Sequence, residues 1–495
     1  MSAAEAHLES ETRASSAARW WQQVASVLLV ACLGIAQWVA ADISRRGGTL
    51  TFDEVFYTHL GMQILIGEDY NTRGVYEYWL TQGRKLPDLV NEPLFIHPPL
   101  FPSLIAASEW IADENPASNR EDKYHAAVRV SILAGCLLVM LVFGLARSMH
   151  GPTTAWIAAL MVSFDLNRWI ASERVWIDAT LAMLAWASVW LFWEGRTRRG
   201  FGYAAGVALG LALLAKYPAA LIGMAWGSYL LLFERERLRD RHTYAPLALA
   251  GLLLVPWLWK VGDVYGANWW YQTIFGHGIA KERMAAFAAV VVFAGVLIGL
   301  AVRFGARCGL AVRTAVERKF GWGSSRALWL AGATAGLAMV FLIQSDVLQA
   351  IGTSLDWNGV PRAGWTGAFF LGEPWYFYLR QHIVYSPLYL LTLISLCRLP
   401  WATRGEHYLA LVAFWVFAFG VLVGNYQSRY VLMMVPALVM LNARTIELGM
   451  RRLASWQSSV APMAWSACAV LLAYCFAKSI RVVYLTGIVD NVAYY

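Results

Sequence analysis

The sequence predicts an all-α membrane protein whose helices cross the bilayer many times, and three observations support this. Of the 495 residues, 59% are hydrophobic and only 15% are charged, a composition that an ordinary water-soluble globule does not have. Apolar runs recur along the whole chain, and no soluble domain of usual size fits between them. Basic residues are concentrated in the short connections between these runs. We therefore expect residues 1–495 to form one continuous bundle.

The first apolar run, from about Val24 to Ala41, follows Arg13 and Arg19. These charges predict that residues 1–20 stay cytoplasmic. The run is longer than the apolar part of a typical signal peptide, which favours an uncleaved signal anchor over cleavage near Ala41. The segment from His97 to Ala112 is apolar but short, and a full crossing there would invert the topology of everything after it, so we interpret it as partial.

The remaining crossings follow from hydrophobicity and from the basic clusters that the assignment leaves on the cytoplasmic side. With the first helix they make about thirteen transmembrane helices, in a multi-pass protein of the plasma (inner) membrane. The external side then carries the first loop (residues 42–96), the 167–177 turn, and a long loop at 345–382. The further spans are predicted at 126–146, 153–166, 178–194, 202–215, 218–233, 244–260, 285–302, 327–344, 383–397, 408–424, 430–447 and 462–478.

Charge and cysteine content argue against two other classes of protein. The net charge of +8 reflects membrane topology, because the basic residues lie between apolar runs, and we expect no nucleic-acid partner. The six cysteines lie in or beside apolar segments without CxxC or Cys/His spacing. They indicate neither a disulfide framework nor a zinc knuckle.

Two adjacent carboxylates, Asp53 and Glu54, open the first external loop and are followed by Phe56, Tyr57 and Tyr70. A carboxylate held near the membrane surface can accept the proton of an attacking hydroxyl group, which makes Asp53 the candidate general base. The alternative is that Asp53 caps the helix that follows, and both roles are compatible.

A second polar feature on the same side is the sequence His97-Pro98-Pro99-Leu100 at the start of an apolar helix. Proline suits the first turn of a helix, and the N–H groups exposed there suit a phosphate. His97 can add a positive charge to such a site. A lone histidine at a membrane interface is otherwise a solvated or structural residue.

The order of these features resembles the GT-C membrane glycosyltransferases of families 39 and 83, which include protein O-mannosyltransferases and the lipid A aminoarabinose transferase. No single motif is specific, but their order along a polytopic chain is. The motifs that carry the resemblance are Asp53-Glu54, His97 to Leu100, Arg174 with Asp178, Lys216-Tyr217-Pro218, Glu373 to Tyr378, and Gln427-Ser428-Arg429-Tyr430 with Pro436.

The resemblance implies a GT-C bundle and inverting transfer of a sugar from a polyprenyl-phosphate donor on the external side. Asp53 is then the base, and Lys216, Arg174 and Arg429 neutralise the departing phosphate. Asp178 would orient Arg174 or bind sugar hydroxyls. Each cation alone is equally typical of an interfacial anchor, and Arg174 with Asp178 can be a simple i, i+4 helix pair. The remaining substrate contacts expected from the motifs are Glu54, His97 and Tyr430.

Other assignments stay open at this stage. The family usually has a lysine where this chain has His97, which puts that phosphate contact in doubt. His277 is a weak candidate metal ligand, and dependence on a divalent metal is not decided. In the 345–382 loop we expect Tyr376 and Tyr378 to contact the sugar or the polyprenyl chain, and most other aromatic residues to form interfacial belts.

Two other classes of function compete with the enzyme. A transporter or flippase for a lipid-linked saccharide would show an inverted repeat, together with charges near the membrane midplane or broken helices, and neither is evident in the sequence. A non-catalytic membrane subunit would be expected to lose Asp53, which is present. The sequence leaves open both the sugar and the acceptor, which can be a lipid, a glycan or a protein.

Overall fold

The computed structural model describes most of the N-terminal half of the chain and two segments near the C-terminus. These residues are helical or lie in turns, with no strand among them, as the composition predicts. The predicted spans at 285–302 and 327–344 lie outside the described residues. The described residues are 20–21, 24–39, 52–67, 70–75, 97–112, 120–266, 386–423, 428–456 and scattered positions between 462 and 477.

The α-helices follow the apolar runs closely, and short 3-10 turns join several of them. They are α1 (Val24–Val39), α2 (Phe52–Ile66), α3 (Leu100–Ile111), α4 (Arg120–His150), α5 (Pro152–Ser163), α6 (Leu166–Glu173), α7 (Ile177–Gly195), α8 (Arg199–Ala215), α9 (Ala220–Phe233), α10 (Ala245–Tyr265), α11 (Leu391–Arg398), α12 (Arg404–Val423) and α13 (Val435–Trp456). The 3-10 helices are Tyr217–Ala219, Arg235–Arg239, Arg241–Thr243, Pro387–Leu390, Leu399–Trp401 and Ser428–Met434.

Several of these helices are long and apolar enough to cross a membrane. Within the described residues, three helical segments meet this criterion: Tyr124–His150, Ala245–Tyr265 and Arg429–Ser455. A fourth is added if α6 and α7, which are bent by 118° at a short break, are taken as one broken span. The chain is therefore a membrane protein, and the count of about thirteen crossings stays a prediction.

The core forms where neighbouring helices pack along their length. α7 lies between α4 and α8, and α10 packs against α8, while α13 packs against α5, α11 and α12. Small residues allow close approach. A Cβ atom on Gly206 of α8 would lie 2.3 Å from the carbonyl oxygen of Pro246 in α10. The 3-10 helix that precedes α13 is tied to α7, because Trp186 Nε1 donates to the carbonyl oxygen of Met433 at 2.8 Å.

The segment predicted as an external turn at 167–177 is instead largely a buried helix, α6. Asp165 caps it, since its side chain accepts a hydrogen bond from the N–H group of Arg168 at 3.0 Å. The buried Arg168 guanidinium donates to the carbonyl oxygens of Val162 and Ser163 at the end of α5. The polar residues that suggested an exposed turn instead form hydrogen bonds with backbone groups inside the fold.

The segment from His97 to Ala112 forms the 12-residue helix α3, which packs against α2. Twelve helical residues span about 18 Å, which is less than the roughly 30 Å of a hydrocarbon core. The length agrees with the interpretation of this segment as a partial crossing.

Candidate active site

The two adjacent carboxylates lie in the first turn of α2 and point to different surroundings. Neighbouring residues of a helix are about 100° apart around its axis, so they face different neighbours. The Asp53 side chain is 35% exposed, whereas that of Glu54 is 5% exposed. Because α2 begins at Phe52, Asp53 is the second residue of the helix and not the residue that caps it. Asp53 is therefore the carboxylate of this pair that a substrate can reach.

Glu54 forms a buried ion pair with Arg174. The Arg174 Nη1 and Glu54 Oε2 atoms are 3.0 Å apart, and each side chain is 5% exposed. The N–H group of Val175 also donates to Glu54, at 3.4 Å. The expected pair between Arg174 and Asp178 is not among the ion pairs of the described residues, because the chain bends between α6 and α7 and separates the two side chains. Arg174 joins the α6–α7 bend to α2.

Asp178 instead lies between two other cations. Its Oδ1 atom is 3.1 Å from Lys216 Nζ, and its Oδ2 atom is 3.8 Å from Arg429 Nε. Arg429 also donates through Nη2 to Asp53 Oδ2 at 2.5 Å. Asp178 begins α7 and Lys216 ends α8, so the antiparallel packing of these helices brings the two together. The structure thus joins Asp53, Arg429, Asp178 and Lys216 in one row of alternating charges.

Aromatic rings cover the cations of this row. The Arg429 guanidinium carbon lies 4.2 Å from the ring centroid of Trp176 and 5.3 Å from that of Tyr430. Lys216 Nζ lies 4.7 Å from the Tyr430 ring. Ring faces attract cations and limit their access to water, which strengthens their pull on an anion. The sequence motifs predicted Tyr430 at this site but did not predict Trp176. The position of Trp176 between the motif residues Arg174 and Asp178 could have indicated it.

His97 precedes α3 and is held by aromatic residues. Its Nδ1 atom is 3.1 Å from the Tyr57 hydroxyl, and its carbonyl oxygen accepts a hydrogen bond from the Tyr70 hydroxyl, also at 3.1 Å. The ring of Phe56 packs against the imidazole at 5.2 Å. The aromatic residues that follow the acidic pair therefore orient His97, and its contact with a phosphate stays a prediction.

The motif at the end of α8 is braced by α10, a contact that the sequence did not reveal. Trp257 Nε1 donates to the Tyr217 hydroxyl at 2.9 Å, and the Trp257 ring lies 6.1 Å from that of Tyr70. This bond ties the turn that follows Lys216 to α10.

Three predicted site residues, His277, Tyr376 and Tyr378, lie outside the described residues. In the part of the chain that is described, no group of three or more His, Cys, Asp and Glu side chains is arranged to hold a metal ion. The carboxylates of Asp53 and Asp178 both have cationic side chains as partners. A role for a divalent metal therefore stays open, with no ligand set among these residues.

Solved structures with a similar fold match most of this chain. The apo structure of ArnT from Cupriavidus metallidurans matches with a TM-score of 0.50 at 15% identity, over 95% of this chain and 75% of that one. AglB, the oligosaccharyltransferase of Archaeoglobus fulgidus, solved with an inhibitory peptide and a dolichol-phosphate, matches with a TM-score of 0.51 at 13% identity, over 94% and 56%. The chain has the GT-C fold of membrane glycosyltransferases, as the motifs predicted.

Comparisons of the amino-acid sequence match parts of the chain to mannosyltransferases. Residues 97–259, about a third of the chain, match the family described as dolichyl-phosphate-mannose-protein mannosyltransferase. A polyprenol-phosphate-mannose–protein mannosyltransferase of Mycolicibacterium smegmatis is 25% identical over 255 residues. That alignment covers 46% of this chain and 44% of the relative, so the chain matches less than half the length of that protein. The matched family region contains His97, Arg174, Asp178 and Lys216.

Proposed function

We propose that this protein is an inverting glycosyltransferase that moves a sugar from a polyprenyl-phosphate donor to an acceptor hydroxyl or phosphate at the outer face of the plasma membrane. The observation that carries the proposal is the row of Asp53, Arg429, Asp178 and Lys216, in which a partly exposed carboxylate lies beside cations. One arrangement thus offers a base for the acceptor and positive charge for a leaving phosphate.

The accessible carboxylate acts on the acceptor. Arg429 contacts Asp53 at Oδ2 and orients it, while the 35% exposure of the Asp53 side chain lets an acceptor reach the carboxylate. Asp53 takes the proton of the acceptor hydroxyl as its oxygen forms the new bond to the anomeric carbon. The bond between that carbon and the carrier phosphate breaks on the opposite side, and this displacement inverts the configuration.

Two of the three cations act on the carrier phosphate, and their exposure distinguishes them from the third. Lys216 is 20% exposed and Arg429 is 9% exposed, and both lie beside Asp178, which holds them in position. The phosphate gains negative charge as the sugar leaves, and these two residues stabilise that charge. Arg174 is neutralised by Glu54 deep in the fold. We therefore assign Arg174 to positioning the α6–α7 bend, in place of direct contact with the phosphate.

The location of the charges favours an enzyme over a transporter. Asp178 and Lys216 lie at the start of α7 and the end of α8, which is one end of the helical bundle and not its middle. A transporter is expected to hold its substrate near the membrane midplane. The names of the relatives include mannose donors and protein acceptors, and a lipid or glycan acceptor fits the same chemistry.

The test is transfer of labelled sugar from a panel of polyprenyl-phosphate donors by membranes that contain the wild type, Asp53→Asn or Asp263→Asn at matched expression. Asp263 is an exposed carboxylate near the end of α10, so its variant makes the same chemical change away from the charged row. Loss of general-base catalysis typically lowers a rate by about 10²- to 10⁴-fold. We expect that loss for Asp53→Asn and wild-type rates for Asp263→Asn.

Each outcome bears on a different part of the proposal. Transfer by the wild type that disappears in Asp53→Asn supports the enzyme and names the sugar. Transfer that Asp53→Asn leaves unchanged rules out Asp53 as the base. Absence of transfer with every donor, in membranes where the protein is folded, favours the transporter or the non-catalytic subunit.

A further inference from the structure

A polar cavity lies at the opposite end of α7 and α8 from the row of charges that contains Asp53. It has a volume of about 270 Å³ and opens between the end of α7, the start of α8, the 3-10 turns after α9 and the start of α10. Its charged and hydrogen-bonding lining residues are Arg196, Thr197, Arg199, Tyr203, Arg237, Asp240, His242 and Thr243.

The length of the helices separates this cavity from the candidate active site. Asp178 is the second residue of α7, and Arg196 follows its last residue, Gly195. The 19 residues of α7 span about 28 Å at the usual helical rise, close to the thickness of a hydrocarbon core. The cavity therefore lies at the other membrane surface, which the basic clusters predict to be cytoplasmic.

The lining carries an excess of positive charge. Arg196, Arg199 and Arg237 face the cavity, against the single carboxylate of Asp240. Asp240 is already engaged, because its Oδ1 atom accepts a hydrogen bond from the backbone N–H of His242 at 3.0 Å. The cavity thus keeps a net positive charge even when Glu234, which lies behind it, is counted.

Glu234 fixes the direction of two of these arginines. Arg196 Nε donates to Glu234 Oε1 at 2.7 Å, and Arg237 Nη1 donates to Glu234 Oε2 at 3.1 Å. Burial raises the pKa of Glu234, but the bonds from Arg196 and Arg237 outweigh it and hold that pKa below its usual value. The Arg196 guanidinium also lies over the Trp193 ring at 4.1 Å. Arg196 and Arg237 are therefore ordered before any ligand binds, which lowers the entropic cost of binding.

Two further features suit an anion with an attached apolar group. Tyr203 and His242 share a hydrogen bond of 2.8 Å that forms a polar wall of the cavity. Phe201, Leu231 and Leu247, each next in sequence to a residue that lines the cavity, expose large apolar side chains. In a membrane protein such side chains face acyl chains, so a lipid headgroup can enter the cavity while its tails stay in the bilayer.

We propose that this cavity binds the phosphate group of an anionic membrane phospholipid. The arginines Arg199 and Arg237 contact the phosphate oxygens, and the Tyr203–His242 pair contacts the polar remainder of the headgroup. The site is distinct from the catalytic row and does not depend on the proposed glycosyl transfer.

The test is native mass spectrometry of the full chain released from bilayers of phosphatidylglycerol or of phosphatidylcholine. The first variant, Arg199→Gln/Arg237→Gln, removes two charges from the cavity. The second, Gly202→Glu, adds a negative charge at a position that lines the cavity and accepts a Cβ, since a Cβ there meets only Pro246 Cγ, at 3.9 Å. The control is Arg239→Gln, which removes an exposed arginine of the same surface that does not line the cavity.

We expect the wild type and Arg239→Gln to retain one more phosphatidylglycerol than either cavity variant, and none of the proteins to retain phosphatidylcholine in its place. Phosphatidylglycerol binding should weaken by roughly 30-fold in the double variant, given the usual contribution of two interfacial arginines. Equal retention by all four proteins overturns the proposal. So does displacement of the lipid by inorganic phosphate at equal concentration, because the ligand would then be a free anion.

Discussion

The strongest structural prediction concerns Arg174→Gln, which removes the cationic partner of Glu54. Both side chains are 5% exposed, so the variant leaves a buried carboxylate without the guanidinium that lies 3.0 Å from it, while the 3.4 Å bond from the Val175 N–H group remains. Breaking a buried ion pair in this way typically costs about 3–5 kcal/mol. We expect Arg174→Gln to melt several degrees below the wild type in detergent, in proportion to that loss.

A matched control and a double variant isolate the pair. Arg451 is 69% exposed in its ion pair with Glu447, so Arg451→Gln should cost less than about 1 kcal/mol. The double variant Glu54→Leu/Arg174→Met replaces both charges with apolar groups of similar size. It should be more stable than Arg174→Gln, because no carboxylate remains buried without its arginine.

The measurement is thermal unfolding of the purified proteins, read alongside sugar transfer in membranes. Wild-type melting of Arg174→Gln together with lost transfer would refute the positioning role. It would indicate instead that Arg174 contacts the carrier phosphate directly. A double variant that melts below Arg174→Gln would contradict the cost assigned here to a buried carboxylate that has lost its arginine.

Three further predictions follow from the site and its supporting helices. Arg429→Lys keeps the charge but loses the planar fork that reaches two carboxylates, and transfer should fall about 10²-fold; wild-type transfer would contradict this. Lys216→Met should slow sugar transfer by roughly tenfold or more. The control Lys260→Met changes an exposed lysine of α10 and should leave the initial rate of transfer unchanged. Equal effects of the two variants would show that Lys216 does not act in the site. Gly195→Ala should destabilise the folded protein by about 1–3 kcal/mol, because the added Cβ would lie 2.6 Å from the N atom of Gly202. The control Gly227→Ala has open space around its Cβ and should leave the stability unchanged in the same melting assay.

Much of the fold could be predicted from hydrophobicity alone. The predicted span at 178–194 corresponds to α7 (Ile177–Gly195), and that at 202–215 to α8 (Arg199–Ala215). Apolar runs predict these helices because the backbone of a segment in lipid must form its hydrogen bonds within the segment itself, and a helix does this. Hydrophobicity did not predict helix α6, because its polar residues, which form hydrogen bonds to backbone groups inside the fold, resemble those of an exposed turn.

The residues of the candidate site could also be named from the sequence, because motif order identified Asp53, Asp178, Lys216 and Arg429. Which of them pair could not. Asp53 and Arg429 are 376 residues apart, and Glu54 and Arg174 are 120 apart, and no local pattern records contacts over such distances.

Composition and hydrophobic patterning were enough to predict that the chain lies in a membrane, where most of the described helices begin and end, and which polar residues stand at their ends. The ion pair of Arg174 with Glu54, and the contacts of Asp178 with Lys216 and Arg429, depend on how the helices pack. The physical reason is that hydrophobic burial is read from composition over a short window, whereas the strength of a charge depends on what the packed helices bring beside it and how far they exclude water.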